Sequence, residues 1–401
     1  MNAKQFITEN WVNTIRQPLI KEGRIPLPKP FTVPCINEGF NNFYYWDSYF
    51  TNVGLMLSGK LEQARNNIEN FAHCINTVGY MPNADHIKGR SQPPLFGCAI
   101  DDYYEVTKDE NLAKEFAETL EKELLFWQTE RTDESGLSFY FHSTDKELIP
   151  KFYHNIKKRV DLDTDNEEVA FYDGINLLAI AESGWDFTHR FVTEKSVVDA
   201  QSFYQIDLNC ILYKSEKVCG KLYSILGNTK KANLFNEKAE KRKELIEKFM
   251  LCPDGIFRDY NKKDNKVTSF TSCASFLPYF VGISTDKKAY EKLVGILEQN
   301  EGIAATEKIE NGYQWDFPSM WPPLVYFAIK GGENCGATAT VERLAKKYLT
   351  TADRVFEMRG QLYEKYDSVT GVLPEKSEYG TPPMMGWTAA TYLYLDKNYR
   401  K

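Results

Sequence analysis

The stretch 208-LNCILYKSEKVCGKLYSIL-226, separated only by Gly227 and Asn228 from 229-TKKANLFNEKAEKRKELIEKFM-250, carries apolar residues at helical spacing through both halves. The first half is the more apolar and the second is amphipathic, which predicts an inner helix backed by an outer one. The same period runs through 61-LEQARNNIENFAHCINTVG-79, 109-DENLAKEFAETLEKELLFWQTE-130, 286-DKKAYEKLVGILEQN-300 and 336-GATATVERLAKKYLTTADRVFEMRG-360. Alternating strand patterns are scarce; 136-GLSFYFHS-143 and 255-GIFRDYN-261 are the best hairpin candidates. Three pairs, Pro93-Pro94, Pro322-Pro323 and Pro382-Pro383, stand just ahead of apolar runs. They mark helix starts, because proline's missing N–H has no partner in a first helical turn anyway. The expected fold is all-α, about a dozen helices as six helical hairpins in a ring, inner helices wrapped by outer ones, with minor β-hairpin decoration. No Gly/Ser/Pro-rich linker interrupts the 401 residues, which points to a single domain over 1–401.

Composition removes several function classes. The net charge is −7 and no Lys/Arg-rich run is present, which argues against a nucleic-acid partner. No segment approaches eighteen consecutive apolar residues, and the N-terminal MNAKQFITENWVN has no apolar stretch. The expectation is therefore a cytoplasmic enzyme away from membranes. Eight cysteines form no C-x-x-C pair and read as buried thiols in a reducing compartment. Five histidines are too scattered for a metal site, so neither a metal nor an organic cofactor is expected. Oligomeric state is left open.

Three of the seven tryptophans are followed by aspartate: Trp46-Asp47, Trp185-Asp186 and Trp315-Asp316. They lie too far apart for a propeller, whose repeat is ~40–45 residues. An indole face stacks on the apolar face of a pyranose ring, while an adjacent carboxylate accepts hydroxyl hydrogen bonds or moves a proton. A carbohydrate substrate follows.

Four blocks, 44-YYWDSYFTNVGLMLSG-59, 89-GRSQPPLF-96, 181-AESGWDFTHRF-191 and 314-QWDFPSMWPPL-324, with 363-YEKYD-367 as a shorter fifth, carry a resemblance. In them the chain resembles the trehalases, glycoside hydrolase family 37. The resemblance implies an (α/α)6 toroid and inverting hydrolysis of a small α-glucoside, α,α-trehalose or a related α-linked glycoside. It places the general acid at Asp186 and the general base at Glu364. The aromatic neighbours Trp185 and Phe187 are expected to desolvate a carboxyl at 186, which suits proton delivery to a leaving oxygen. The ordinary alternatives are a helix-capping aspartate at 186 and a solvent-facing charged run at 364. An inverting pair stands ~6.5–9.5 Å apart, leaving room for water.

The same resemblance implies that Trp46 and Asp47 cradle the reacting ring, that Asn83, Arg90 and Gln92 bind hydroxyls beside them, and that Trp315 and Asp316 form a second wall. Glu378, in 377-SEYGTPPMMGW-387, maps onto a carboxylate that shapes the pocket. For Asp47 and Asp316 helix N-capping is the competing role, and for Arg90 a surface ion pair.

The chain departs from the family's first signature in 36-INEGFNNFYYWD-47, where Gly39 stands at an arginine position and Asn42 at a glutamate position. Arg159, in 157-KKRVDLDTD-165, is the nearest candidate for a further family arginine. These departures leave the aglycone open. Two other functions compete with hydrolysis: a carbohydrate-binding protein that has lost catalysis, and carbocation chemistry on a non-sugar substrate with Asp163 of 161-DLDTD-165 as proton donor.

Overall fold

The helical periodicity materialises as α1 (Ala3–Thr14), α2 (Tyr45–Leu57), α3 (Leu61–Val78), α4 (Phe96–Thr107), α5 (Asn111–Glu130), α6 (Ile149–Ile156) and α7 (Glu167–Ser183). The remainder are α8 (Ile206–Ile225), α9 (Thr229–Met250), α10 (Leu277–Phe280), α11 (Lys287–Leu297), α12 (Pro322–Asn334), α13 (Thr338–Arg359) and α14 (Gly386–Tyr399). The computed structural model describes residues 1–36, 39–192, 198–374, 381–383 and 386–400.

Six inner helices, α2, α4, α8, α10, α12 and α14, pack on one another in that order, and α14 closes the ring on α2. Helices α3, α5, α9 and α13 back α2, α4, α8 and α12; α11 packs on the 3-10 turn Cys273–Phe276 that leads into α10, and α1 packs on α14. This is an (α/α)6 toroid. The 208–226 and 229–250 stretches are its α8–α9 hairpin: α8 is buried nearly all round and α9 on one face. Asn228 caps α9 by accepting from Lys231 N, so two residues suffice for the reversal. Pro322 opens α12, and the other two proline pairs fall just before α4 and α14.

Helices α6 and α7 fall outside the ring scheme. They pack on each other and build a second hydrophobic cluster around Tyr153, Leu177, Ile180, Phe187 and Phe203. Asn166 caps α7 by accepting from Glu168 N and Val169 N, and Glu167 and Glu168 add favourable charge to the first turn. The helix ends at Gly184, at φ 78°.

Strands are two residues long and pair antiparallel: Ile15–Arg16 with Phe31–Thr32, Tyr260–Asn261 with both Phe203–Tyr204 and Lys266–Val267, and Ser319–Met320 with Tyr366–Asp367. The hairpin expected at 255–261 thus forms at its end. That expected at 136–143 does not, apart from a single bridge from Ser138 to Thr132. Three of its N–H groups go instead to buried side chains, Ser138 N to Asn209 Oδ1, Tyr140 N to Gln205 Oε1 and Phe141 N to Glu182 Oε2, while Phe139 N and Ser143 N donate to the carbonyls of Arg131 and Gly89. Helix side chains satisfy this extended segment where a partner strand was expected.

Candidate active site

The N-terminal ends of α2 and α14, and the loops leading into α4 and α12, converge with the loop after α7 at one end of the ring. Between them lies a cavity of about 220 Å³ whose lining includes Trp46, Asp47, Asn83, Arg90, Gln92, Asp186, Trp315 and Glu364, eight of the eleven residues singled out in the sequence. It also includes Tyr44, Gln314, Trp321 and Trp387, which were not singled out.

Its floor is aromatic. Trp315 and Trp321 stack at 3.7 Å between ring centroids and 4° between planes. Trp46 lies 5.3 Å from Trp315, and Trp387 stands edge-on to Trp46, Trp315 and Trp321. Trp185 completes the cluster from behind, 5.6 Å from Trp315, so it supports the wall without lining the cavity. Five of the seven tryptophans meet here. Gly184 makes the approach possible: a Cβ there would come within 2.9 Å of the Trp46 ring, at a left-handed φ as well.

Three carboxylates share this cavity. The Asp186 side chain is 34% exposed, and Arg159 Nη2 donates to its Oδ2 at 3.4 Å and to its carbonyl at 3.3 Å. Arg159 rests 4.8 Å over the Phe187 ring. The flanking rings turn into separate cores, Trp185 into the main cluster and Phe187 into the second. Asp47, in the first turn of α2, is pushed up to about 8 by burial, then by the charge of Glu364 and, less, of Asp186. Glu364 is buried; the Lys365 ammonium donates to its Oε2 at 3.0 Å, and Trp387 Nε1 donates to its carbonyl at 3.0 Å.

Polar side chains fill the rim. Gln92 Oε1 accepts from Trp46 N at 3.2 Å. The Asn83 carbonyl accepts from Tyr45 N and its N–H donates to the Arg90 carbonyl, which folds this loop over the start of α2. Burial pushes the Arg90 guanidinium down, against the opposing charges of Asp186 and Glu182. Its Nε is buried with no protein acceptor among the described residues.

Asp316 is placed differently from the sugar-facing wall expected of it. Its carboxylate is fully buried and accepts from Thr188 Oγ1 at 2.8 Å, His189 N at 3.0 Å, His189 Nδ1 at 2.6 Å and Tyr313 N at 2.9 Å. All its acceptor capacity goes to joining the 184–191 loop to the 312–321 loop. Glu378 lies outside the described residues. Asp163 is 90% exposed, paired with Lys157 at 2.9 Å and away from the cavity lining, which removes the observation behind carbocation chemistry. Asn42, at the family's glutamate position, accepts from Arg24, which also reaches Asp85 at 3.2 Å.

Comparison with known proteins decides the family. The family model described as Trehalase matches residues 5–400.

The chain belongs to the trehalase family.

Among its relatives, the periplasmic trehalase of Pseudomonas aeruginosa is 29% identical over 404 residues, covering 94% of this chain and 72% of the relative. The periplasmic trehalase of Escherichia coli O8 is 29% identical over 396 residues, covering 92% and 69%. Neutral trehalase Nth1 from Saccharomyces cerevisiae shares the fold with TM-score 0.75 at 24% identity, covering 100% of this chain and 80% of that one. A mannosylglycerate hydrolase of Thermus thermophilus, solved in complex with glucose, shares the fold alone, with TM-score 0.69 at 16% identity and 98% and 99% coverage. Trehalases are glycosidases, and this member has their (α/α)6 ring. The names of the bacterial relatives overturn the cytoplasmic expectation. That expectation rested on the want of an apolar stretch in MNAKQFITENWVN and on reading the cysteines as thiols of a reducing compartment; seven of the eight are buried, and a buried thiol is inert in an oxidising compartment as well. No helix among the described residues is long and apolar enough to cross a membrane.

Trp321, Trp387, Gln314 and Lys365 went unselected in the sequence although all four stand in the quoted blocks. For Gln314, Trp321 and Lys365 the signal was proximity to a Trp-Asp or Glu-Lys motif, which does not say which neighbour turns inward; Trp387 had no such neighbour.

Proposed function

We propose that the protein hydrolyses α,α-trehalose with inversion, Asp186 acting as general acid and Glu364 as general base. The observation that supports this reading is a single cavity in a trehalase-family ring lined at once by Asp186, Glu364 and Asp47 over a tryptophan floor. The names of the bacterial relatives point the same way. Glu364 takes a proton from a water that attacks the anomeric carbon, and Asp186 protonates the departing glycosidic oxygen. The expected desolvation of Asp186 is not found: Trp185 and Phe187 turn into separate cores, and the carboxyl is 34% exposed beside Arg159, where solvent can return its proton each cycle. Asp47, held neutral by burial below about pH 8, both donates to and accepts from sugar hydroxyls. Arg90, which lines the cavity, donates to another hydroxyl, and Trp46 and Trp315 carry the ring face. We read the ring from α1 to α14 as one catalytic domain.

Proton NMR of trehalose hydrolysis reads the chemistry directly: one equivalent each of α- and β-glucose appears at first, while two of α-glucose would refute inversion. Asp186→Asn keeps the fold and lowers kcat by ~10²–10⁴-fold. A variant as active as the parent would end the assignment of the acid. Kojibiose, nigerose, maltose and glucosylglycerate in parallel define the aglycone that Gly39 and Asn42 leave less restricted.

A further inference from the structure

Lys365 is a fully buried cation beside the proposed base. Its Nζ donates to Glu364 Oε2 at 3.0 Å and to Gln314 Oε1 at 3.2 Å, and stands 4.5 Å from the centre of the Trp321 ring. The other end of the Gln314 amide donates from Nε2 to the Asp186 carbonyl at 3.0 Å. Gln314 is itself pinned, because Trp321 Nε1 donates to its carbonyl at 3.0 Å. Beyond both residues, Ser319–Met320 pairs with Tyr366–Asp367, which locks the two loops in register. A continuous chain of hydrogen bonds thus runs from the Glu364 carboxylate through one ammonium and one amide to the backbone of Asp186.

Burying an ammonium is costly unless strong partners surround it. Solvent-facing pairs elsewhere on this protein perform ordinary structural work without that cost, so the placement at 365 asks for a reason. We propose that Lys365 is a positioning residue which, through Gln314, fixes the Glu364 carboxylate relative to Asp186 and favours its ionised, proton-accepting form. The proposal rests on the reading of Glu364 as base. A misplacement of 1 Å can cost ~10²-fold in rate, so the effect falls on kcat more than on KM.

The test measures trehalose hydrolysis as a function of pH for the full chain and four variants, with circular dichroism and melting as checks on folding. Lys365→Met retains length and apolar packing on Trp321; it should lower kcat by about 10–10²-fold with KM within about twofold, and move the acidic limb of kcat/KM to higher pH. Lys365→Arg restores that limb towards its original place. Gln314→Leu cuts the link to Asp186 and takes one acceptor from Lys365 but keeps the ammonium beside Glu364; it should lower kcat and move the limb less than Lys365→Met does. A Lys365→Met enzyme with the parent's kcat, or one whose loss tracks its unfolded fraction with the limb unmoved, overturns the proposal. Should that variant fail to fold, an unchanged kcat in Gln314→Leu, or a loss that falls on KM, overturns it instead, and a lowered kcat with KM within about twofold supports it. Glu364→Ala separates the two readings: if it keeps activity, the assignment of the base has failed; if it is inactive while Lys365→Met is unaffected, only the role of Lys365 has failed.

Discussion

Asp47 stands at the start of α2, where a helix N-terminus favours a negative charge by about 0.3–1 kcal/mol. Burial opposes this, and the neighbouring Glu364 and Asp186 charges oppose it further, so the carboxyl rises from 3.8 to about 8. Desolvation outweighs the dipole, since one pKa unit already corresponds to about 1.36 kcal/mol. The consequence for stability has a definite sign. A carboxyl raised in the folded state contributes stability in full below its unfolded value, and that contribution is lost as pH climbs from about 4 through about 8. Asp47→Asn carries a neutral side chain of the same shape throughout. Its melting temperature relative to the parent should therefore climb between pH 5 and pH 9, and parallel melting curves for the two proteins would count against a buried neutral Asp47. The spare arginine positions are also a matter for single residues: Arg159, the nearest sequence candidate for a further family arginine, reaches Asp186 from the α6–α7 connection.

At the level of elements, the site depends on loops that are tied down from behind. Glu182, the penultimate residue of α7, accepts from Arg131 Nε at 2.9 Å and Nη2 at 3.0 Å, and from the N–H groups of Ser91 and Phe141. It is fully buried, and it fastens the loop carrying Arg90 and Gln92. Glu182→Ala leaves a buried guanidinium without its counter-charge, which should cost about 3–5 kcal/mol in urea unfolding and raise KM as the loop loosens. Glu69, half-exposed and paired with Lys29 and Arg65, is the contrast: its alanine variant should cost about 0–1 kcal/mol. Equal losses from the two would refute the staple. A parallel tie holds the acid-bearing loop, where Arg190 pairs with Asp207 at 2.7 Å and Asp259 at 2.8 Å beneath Trp185. The helices themselves were legible: 229–250 and 61–79 match α9 and α3 to within a residue because their apolar period is local. Segment 136–143 was not, because three of its N–H groups are taken by side chains distant in sequence.

Across the whole molecule, ring architecture could be inferred from repeating local periods and turn residues, whereas the tryptophan floor could not. Trp46, Trp185, Trp387 and the Trp315–Trp321 pair of one loop come from four separate places in the chain, and closure of the ring brings those four together. Closure depends on the seam between α2 and α14. There the helices approach closely at Gly54, where a Cβ would lie 3.1 Å from Ala390 Cα and 2.8 Å from the Trp11 ring of α1. The α14 side chains Trp387, Ala390, Tyr392 and Leu395 are all buried. A chain ending before Gly386 therefore exposes the facing sides of α2, α12 and α1 together, and removes the edge-on partner of Trp46, Trp315 and Trp321. No other element can cover those faces, since α12 and α2 are then the two open ends of a broken ring. The truncated protein should keep much of its helical circular dichroism, lose its near-ultraviolet signal and cooperative melting, and bind a hydrophobic dye, as a collapsed chain without fixed packing does. A truncated chain that melts cooperatively with the parent's near-ultraviolet spectrum would show that five hairpins hold their own core, and that α14 serves the cavity alone.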